Sequence, residues 1–444
     1  MNHSLFETLR ERGYVYQCTN LQAVKALLES DQKLTFYLGI DPTADSLHIG
    51  HFFALMMFRY LQDAGHRGIV VIGDATAMIG DPSGKCDMRK MLSREQVQHN
   101  LEEVRQLVKR FVRTEGENPA IILNNANWMD EYSYVDFMRL VGVHFNVNSM
   151  LSAETYANRL KQGGLTFLEM GYMLMQAYDF VHLNETYGCV LQIGGSDQWG
   201  NIVAGTSLHR KLHVLNEGAE PIEEADRIFG LTCPLLLTKE GKKMGKTEAG
   251  TLWVAREKTT AFDFYQYFYN VDDADMEKLL LLFTRLPADE IKALLADDII
   301  RAKQVMAHEI TALVHGREAA DHAAETARSL FQNGTAGENA PESDFLIPGD
   351  SIGVVELFCN SGFAASNSEV RRLIQQNGVY VDGKKCETID AVVQRPTGKD
   401  YVLLRKGKKN YLKVRFADRT DLSRTGSTWL EKSNASEQAS EEGK

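Results

Sequence analysis

Two strings far apart in the chain carry side chains able to hold a polyanion. In Asp41-Pro-Thr43-Ala-Asp-Ser-Leu-His48-Ile-Gly50-His51, two imidazoles stand three residues apart, after a turn and at the start of an apolar stretch. Far downstream, Lys243-Met-Gly-Lys246-Thr247 puts two ammonium groups in a glycine-containing loop. A third string, Gly80-Asp81-Pro-Ser-Gly-Lys85 with Arg89 beyond it, adds cations at a glycine/proline turn. Together they predict the walls of a nucleoside triphosphate site. Alone each is ambiguous. A bare His-x-x-His is usually two surface histidines on a helix, and a basic glycine loop is as often plain solvated surface.

The elements that must position these groups are legible in outline. Asp45 or Ser46 can cap a helix that begins near His48 and closes at Gly65, which sets His48 and His51 on one face. A helix N-terminus attracts anions through its free N–H groups and dipole, and Gly50 would let a nucleotide approach the backbone. Short apolar runs at Leu34–Gly39, Ile69–Gly73, Ala120–Leu123 and Cys189–Ile193 suit strands buried on both faces of a parallel sheet. Each runs out into glycine or polar residues (Ile40-Asp41, Asp74, Asn124-Asn125, Gly194-Gly195-Ser-Asp197-Gln198), where ligands of such sheets sit. A further helix is predicted over Leu165 to about Leu183, with Thr166 and Glu169 at capping-box spacing. It is mostly apolar, yet Tyr172, Gln176 and Asp179 share one face. An acid and an amide there are costly to bury without partners, so they mark a pocket or else a partly exposed stripe.

The bulk numbers bound the class. The chain has 444 residues, 44% hydrophobic and 25% charged, which allows two to four domains with a sizeable core. No apolar run approaches a membrane span, the N-terminus lacks a signal-peptide pattern, and the six cysteines form no C-x-x-C pair. A reduced cytoplasmic location without zinc or a membrane partner is expected. The net charge of −11 hides an uneven distribution. Between residues 346 and 416, twelve Lys or Arg face seven acids, a local 12 − 7 = +5, which leaves −11 − 5 = −16 elsewhere. From about Lys258 to Phe331 the pattern is helical and Ala/Leu-rich. A polar, Gly/Pro-punctuated linker follows at 332–345, and residues 417–444 read as a disordered tail.

His48-Ile-Gly-His51 and Lys243-Met-Gly-Lys246-Thr247 resemble the HIGH and KMSKS elements of class I aminoacyl-tRNA synthetases. Tyr37-Leu-Gly39-Ile-Asp41-Pro-Thr43, Gly80-Asp81-Pro-Ser-Gly84-Lys85, Tyr172-x3-Gln176-x2-Asp179 and Gln192-Ile-Gly-Gly195-Ser-Asp197-Gln198-Trp-Gly-Asn201 narrow the resemblance to the bacterial-type tyrosyl branch. It spans about residues 1–416. Gly245 and Thr247 stand where the general class has serines, and Leu38 replaces a polar residue found in some relatives.

The resemblance implies an α/β architecture. A Rossmann-like parallel-sheet catalytic domain would span 1–225, with a dimer-interface insertion at about 128–160. The KMSKS-type loop and an α-helical domain would follow at 226–331, and a small α+β S4-like RNA-binding domain at 346–416. It implies ligation of tyrosine to tRNA(Tyr) through tyrosyl-adenylate, with Mg2+ entering on ATP, no tightly bound cofactor, and a homodimer. Tyr37 and Asp179 would hold the substrate phenol, Asp81, Tyr172 and Gln176 its ammonium group, and Gln198 the tyrosine. Gly39, Asp41, Gly50, Gln192, Gly195 and Asp197 would line the adenylate. Thr43, His48, His51, Lys85, Arg89, Lys243, Lys246 and Thr247 would act on the phosphates or beside them.

In Ser366-Asn-Ser-Glu369-Val-Arg371-Arg372, a capped helix precedes Asn-Gly and Asp-Gly turns that bracket a short strand, as in S4-type RNA-binding domains. Arg371, Arg372, Lys384 and Lys385 are the expected phosphate contacts. Two rivals stand beside this assignment. A tryptophan-branch enzyme would lack the Tyr37/Asp179 pair, and a non-catalytic RNA-binding paralogue would be free to lose His48, His51, Lys243 and Lys246.

Overall fold

The computed structural model describes residues 4–82, 91–217, 227–239, 241, 243–247, 250–332, 342–407 and 410–417. The chain separates into two compact units, 1–317 and 318–444. Lys85, Arg89, most of the expected linker and all but the first residue of the expected tail lie outside the described residues, as do the side chains of Lys246 and Thr247.

In the first unit, β1 (Gln17–Cys18), β2 (Thr35–Ile40), β3 (Arg67–Ile72), β4 (Ile121–Asn124), β5 (Cys189–Gly195) and β6 (Phe229–Cys233) form one sheet in the order β1-β6-β5-β2-β3-β4. Strands β2 to β6 are parallel, and β1 pairs antiparallel with β6 at the edge. The four expected strands are present with their ends moved by one or two residues. The sequence reading missed β1, too short to show a pattern, and β6, every residue of which is buried.

From β2 the chain runs outward through β3 and β4, then returns to the other side of β2 as β5. The order therefore reverses between β2 and β5, and a crevice opens beyond their carboxyl ends. Across that line Tyr37 of β2 stands in register with Gln192 of β5.

The helix after β2 spans Ile49–Asp63 and buries Phe52, Phe53, Leu55, Met56, Met57 and Phe58. Phe52 and Phe53 both meet Phe283, with ring centroids 5.7 and 5.9 Å away, which ties this helix to the helical region that follows the sheet. That region contributes Ala261–Tyr269, Met276–Phe283, Ala288–Asp297 and Ile299–His315. The polar-faced helix runs from Phe167 to Tyr187, four residues past the expected end, because Gly188 is the first residue to take a left-handed conformation (φ 62°) and close it. Its capping box between Thr166 and Glu169 is as predicted.

Between β6 and the helical region lie β7 (Lys246–Thr247) and β8 (Gly250–Thr251), an antiparallel pair. In the second unit, β9 (Ser351–Gly353) pairs with β12 (Val392–Gln394). β10 (Val379–Val381), β11 (Lys384–Lys385), β13 (Tyr401–Lys406) and β14 (Asn410–Arg415) form an antiparallel sheet in the order β11-β10-β13-β14. The helix Asn367–Gln375, capped by Ser366, packs Val370 and Ile374 into a core with Ile347, Leu357, Phe358, Val402, Leu404 and Val414. Among the described residues no helix is long and apolar enough to cross a membrane.

Candidate active site

The start of the Ile49–Asp63 helix is built differently from expectation. Neither Asp45 nor Ser46 caps it: Asp45 pairs with Lys258 at 2.8 Å, and Ser46 Oγ accepts from Ala255 N–H. His48 is the N-cap. Its Nδ1 accepts from Gly50 N at 3.0 Å and His51 N at 3.3 Å, while His51 Nδ1 accepts from His48 N at 3.4 Å. This reciprocal capping box stacks the two rings 3.7 Å apart and nearly parallel. The N–H groups at the helix start are therefore spent within the protein, Ile49 N–H on Leu252 C=O included. Any donor this motif offers an anion must therefore come from the imidazoles and not from the helix end.

The same bonds set the tautomers. A ring nitrogen that accepts from backbone carries no proton, so in the neutral form of either ring the proton sits on Nε2. Burial holds His51 well below the ordinary imidazole range, with His48 adding to the effect. Gly50 also has a reason that spacing did not show: a Cβ there would lie 2.9 Å from His48 Cε1 and 3.1 Å from its Nδ1.

The lysine loop is seated directly on this helix start. Leu252 N–H donates to Gly245 C=O (2.6 Å), Val254 N–H to Leu47 C=O (2.9 Å), and the His48 and Trp253 backbones form an antiparallel bridge. Gly245 sits at φ 82°, and a Cβ on it would meet Ile49 Cγ2 at 2.5 Å. Both facts exclude a serine at that position without a shift of the loop. Lys243 reaches across to Asp197, Nζ to Oδ2 3.7 Å. The two motifs thus form one structural unit.

At the β2/β5 switch several polar side chains are buried. Tyr37, 1% exposed, has a hydroxyl without a hydrogen-bond partner, and Gln176 Oε1 and Gln192 Oε1 are likewise buried and unpartnered. A buried polar atom left unsatisfied costs about 1–3 kcal/mol, so such atoms are candidates to bond a polar ligand. Asp179 stands beside Tyr37 but is held by others: Trp128 Nε1 donates to Oδ1 at 2.8 Å and Asn125 Nδ2 to Oδ2 at 3.2 Å. Burial pushes its carboxyl up to about 7 against the pull of those two donors. Burial, with Asp179 adding, also raises the Tyr37 phenol, so that phenol stays protonated. As partners of Asp179, Asn125 and Trp128 both escaped the sequence reading, which had Trp128 only at the start of the expected dimer-interface insertion. The only signal was the polar run-out Asn124-Asn125 at the end of β4.

Next to these side chains the carboxylates converge. Tyr172 donates to Asp41 Oδ2 at 2.8 Å, and Thr76 Oγ1 donates to Asp41 Oδ1 at 2.7 Å. Gln198 Nε2 donates to Asp81 Oδ2 at 2.6 Å. After burial, the largest influences raising the Tyr172 phenol are Asp41 and Asp81, with Asp179 contributing less. Three carboxylates thus focus negative potential on one hydroxyl, which suits a cation. Asp41, expected at the adenylate, accepts here from Tyr172 and Thr76. Gly73 makes room for this: a Cβ on it would fall 2.2 Å from both Asp41 Oδ1 and Thr76 Oγ1.

On the nucleotide side, Gly39 is the exposed residue in an otherwise buried stretch of β2, and a Cβ on it would meet nothing within 4 Å. The surface beyond β2 is therefore open and flat at that point. Asp197 curls back toward Gly195, where a Cβ would meet Asp197 Oδ1 at 2.6 Å. Burial raises the Asp197 carboxyl while Lys243 opposes it. Thr43 is exposed at the mouth. No cluster of metal-ligating side chains is gathered among the described residues.

In the second unit, several of the counted cations are used internally: Arg395 with Asp350, Lys399 with Asp382, Lys406 with Glu369, and Arg415 with Glu342 and Asp400. Arg371, Arg372, Lys384 and Lys385 are exposed, with no ion pair among the described residues. Arg405 lies 3.6 Å over the Tyr380 ring, a planar cation stacked on an aromatic beside them.

Comparison with known proteins follows the same division. Residues 29–332 match the family model for class I tRNA synthetases of the tryptophan and tyrosine type, and residues 335–414 match a tyrosine–tRNA ligase C-terminal domain model. A tyrosine–tRNA ligase of Clostridium kluyveri is 48% identical over 415 residues, 93% of this chain and 99% of that protein. Among solved structures, a C-terminally truncated mitochondrial tyrosyl-tRNA synthetase of Aspergillus nidulans superposes with a TM-score of 0.66 at 27% identity, over 74% of this chain and 95% of that one. Its counterpart from Coccidioides posadasii gives 0.63 at 30% identity, over 73% and 92%.

Proposed function

The chain belongs to the class I tyrosyl-tRNA synthetases, and on that premise we propose how its residues divide the reaction among them. The reaction is ligation of L-tyrosine to tRNA(Tyr): tyrosine and ATP give tyrosyl-adenylate and pyrophosphate, and the tyrosyl group then passes to the 3′ end of the tRNA.

The observation that carries the residue assignment is the set of unpartnered atoms at the β2/β5 switch. The substrate phenol donates to Asp179 and accepts from Tyr37, whose hydroxyl is otherwise unpaired. Phenylalanine would leave both side chains without that bond. Such a site rejects the analogue by ~10⁴–10⁵, a figure that belongs to tyrosyl-tRNA synthetases as a class and is not worked out from this geometry. The ammonium group lies against Tyr172, Gln176 and Asp81, where the carboxylates focus their potential, with Gln198 held in place by Asp81.

The tyrosine carboxylate, ionised at neutral pH, attacks the α-phosphorus. The new carboxylate oxygen–phosphorus bond forms as the bond to the bridging oxygen of pyrophosphate breaks, and no general base is required. Catalysis is positioning plus charge stabilisation. The Nε2–H groups of His48 and His51 donate to phosphate and ribose oxygens as neutral donors. Formal positive charge comes from Lys243 and Lys246, with Lys85 and Arg89. Thr43 and Thr247 add hydroxyl donors at the pyrophosphate, while Gly39, Gln192, Gly195 and Asp197 line the ribose. Mg2+ enters as part of the ATP complex.

The exposed apolar side chains Tyr134, Val135, Val143, Val147, Phe167 and Leu168 support a homodimer interface around the 128–160 insertion. Arg371, Arg372, Lys384 and Lys385 serve as RNA phosphate contacts. ATP–pyrophosphate exchange with each amino acid tests the assignment. Tyrosine alone should drive exchange. Exchange with tryptophan would move the chain to the other branch, and no exchange with any amino acid would make it a non-catalytic relative.

A further inference from the structure

The lysine loop has a second anchor, which none of the catalytic roles uses. Gly245 N–H, the amide immediately before Lys246, donates to Tyr267 Oη at 2.8 Å. Tyr267 projects from the helix Ala261–Tyr269 and packs edge-on against Phe268, ring centroids 5.1 Å apart. Burial raises its phenol above the ordinary range, and the Gly245 amide opposes that only in part, so it remains a neutral hydroxyl that accepts here.

The strand leading into the loop is tethered to the same helical region. Lys239 N–H donates to Asp275 Oδ2 at 3.2 Å, the Lys239 ammonium pairs with Asp272, and Lys278 Nζ donates to Leu237 C=O. On its other side Gly245 is pressed against Ile49 and bonded through its C=O to Leu252. A left-handed glycine between two such contacts has little freedom while both hold. Among the described residues, the hydrogen bond from the helical region to the loop's own motif goes through a single side-chain oxygen, which can be removed without touching substrate.

We propose that Tyr267 is a positioning residue for the adenylation step: its phenol oxygen holds the Met244–Gly245 peptide, and with it the loop backbone that carries Lys246, in place for charge stabilisation of the leaving pyrophosphate. The inference rests on the assignment of Lys246 to the leaving group and extends it to a residue that contacts neither substrate. A loop held this way loses less freedom on reaching the transition state, so the effect belongs in the rate constant and not in tyrosine affinity.

The test is a double-mutant cycle on the full chain, reading single-turnover adenylation, tyrosine Kd and the thermal midpoint. Tyr267→Phe keeps the ring packing and deletes the oxygen. It should slow adenylation about 3- to 10-fold, the range of one hydrogen bond, and leave tyrosine Kd unchanged, while the midpoint falls by no more than a few degrees for the unpaired Gly245 N–H. Lys246→Ala should slow it by ~10²–10³. Tyr267→Phe added to Lys246→Ala should then cost nothing more, because the oxygen acts only through that ammonium. Full additivity of the two effects, or an unchanged rate in Tyr267→Phe while Lys246→Ala is slow, overturns the latch and leaves the role of Lys246 standing. An unchanged rate in Lys246→Ala instead removes the assignment on which the latch depends.

Discussion

Tyrosine affinity should depend on pH, with Asp179 as the titrating group. In the ligand-free site this carboxyl is 4% exposed and titrates at about 7, because burial outweighs the bonds from Trp128 and Asn125. A substrate phenol that donates to it favours the ionised form, so binding must expel whatever proton is there. At pH 6 about nine-tenths of the sites carry that proton, and at pH 8 about one-tenth do. The dissociation constant should therefore fall about tenfold from pH 6 to pH 8, with affinity lost as pH drops through 7.

Isothermal titration calorimetry in buffers of different ionisation enthalpy gives the same quantity a second way, since close to one proton is released per tyrosine bound at pH 6. Asp179→Asn should abolish both signals. It should also weaken tyrosine about 5- to 150-fold, the equivalent of about 1–3 kcal/mol for a buried donor left unpaired. Stability without ligand carries the complementary sign. A carboxyl whose folded-state value lies above its unfolded one loses its contribution as pH rises from about 4 through about 7, and Asp179→Asn should flatten that slope. A Kd flat from pH 6 to 8 with no buffer-dependent heat would refute the chain of reasoning, because it would mean the carboxyl keeps its protonation state when tyrosine binds.

Three further outcomes follow from particular contacts. Tyr37→Phe removes a buried hydroxyl that has no partner without ligand, so the ligand-free thermal midpoint should rise or hold while tyrosine affinity falls about 5-fold or more; a fall in both would show the hydroxyl is bonded in the free protein. Gly50→Ala forces a Cβ into the His48 ring, so the helix gain of about 1 kcal/mol from alanine should offset the weakened cap of about 1 kcal/mol. Adenylation should drop at least tenfold at a nearly constant midpoint, and an unchanged rate would show that the cap does not orient the imidazole. Replacing Arg371 and Arg372 by alanine should reduce the slope of log K for tRNA against log salt by about 0.7–0.9 per residue; an unchanged slope places the RNA elsewhere.

Much of this was written locally. The capping box Thr166–Glu169, the four apolar strand runs (the edge strand Ile121–Asn124 only half-buried) and the helical stretch after Lys258 each depend on neighbours within a few residues, and spacing reveals such neighbours. The serine-to-glycine change in the lysine loop was visible as a departure, while its reason, a left-handed Gly245 pressed against Ile49, was not. The expected role of Gly50, close approach of a nucleotide, gave no hint that the His48 ring lies where its Cβ would be. The motif around Asp41 gave no sign that it accepts from Tyr172, a partner 131 positions away.

The amino acids alone thus determined the chemistry on offer: two imidazoles, two loop lysines, and a tyrosine, an amide and a carboxylate along one helix face, each with a local spacing. Only the tertiary structure decided how that chemistry is poised. Which nitrogen of His48 keeps the proton, why Asp179 titrates near neutrality and which helix steadies the lysine loop depend on contacts between residues far apart in the chain. Such contacts leave no periodicity behind, because a hydrogen bond closed by folding requires only that its two ends meet, not that anything between them repeat.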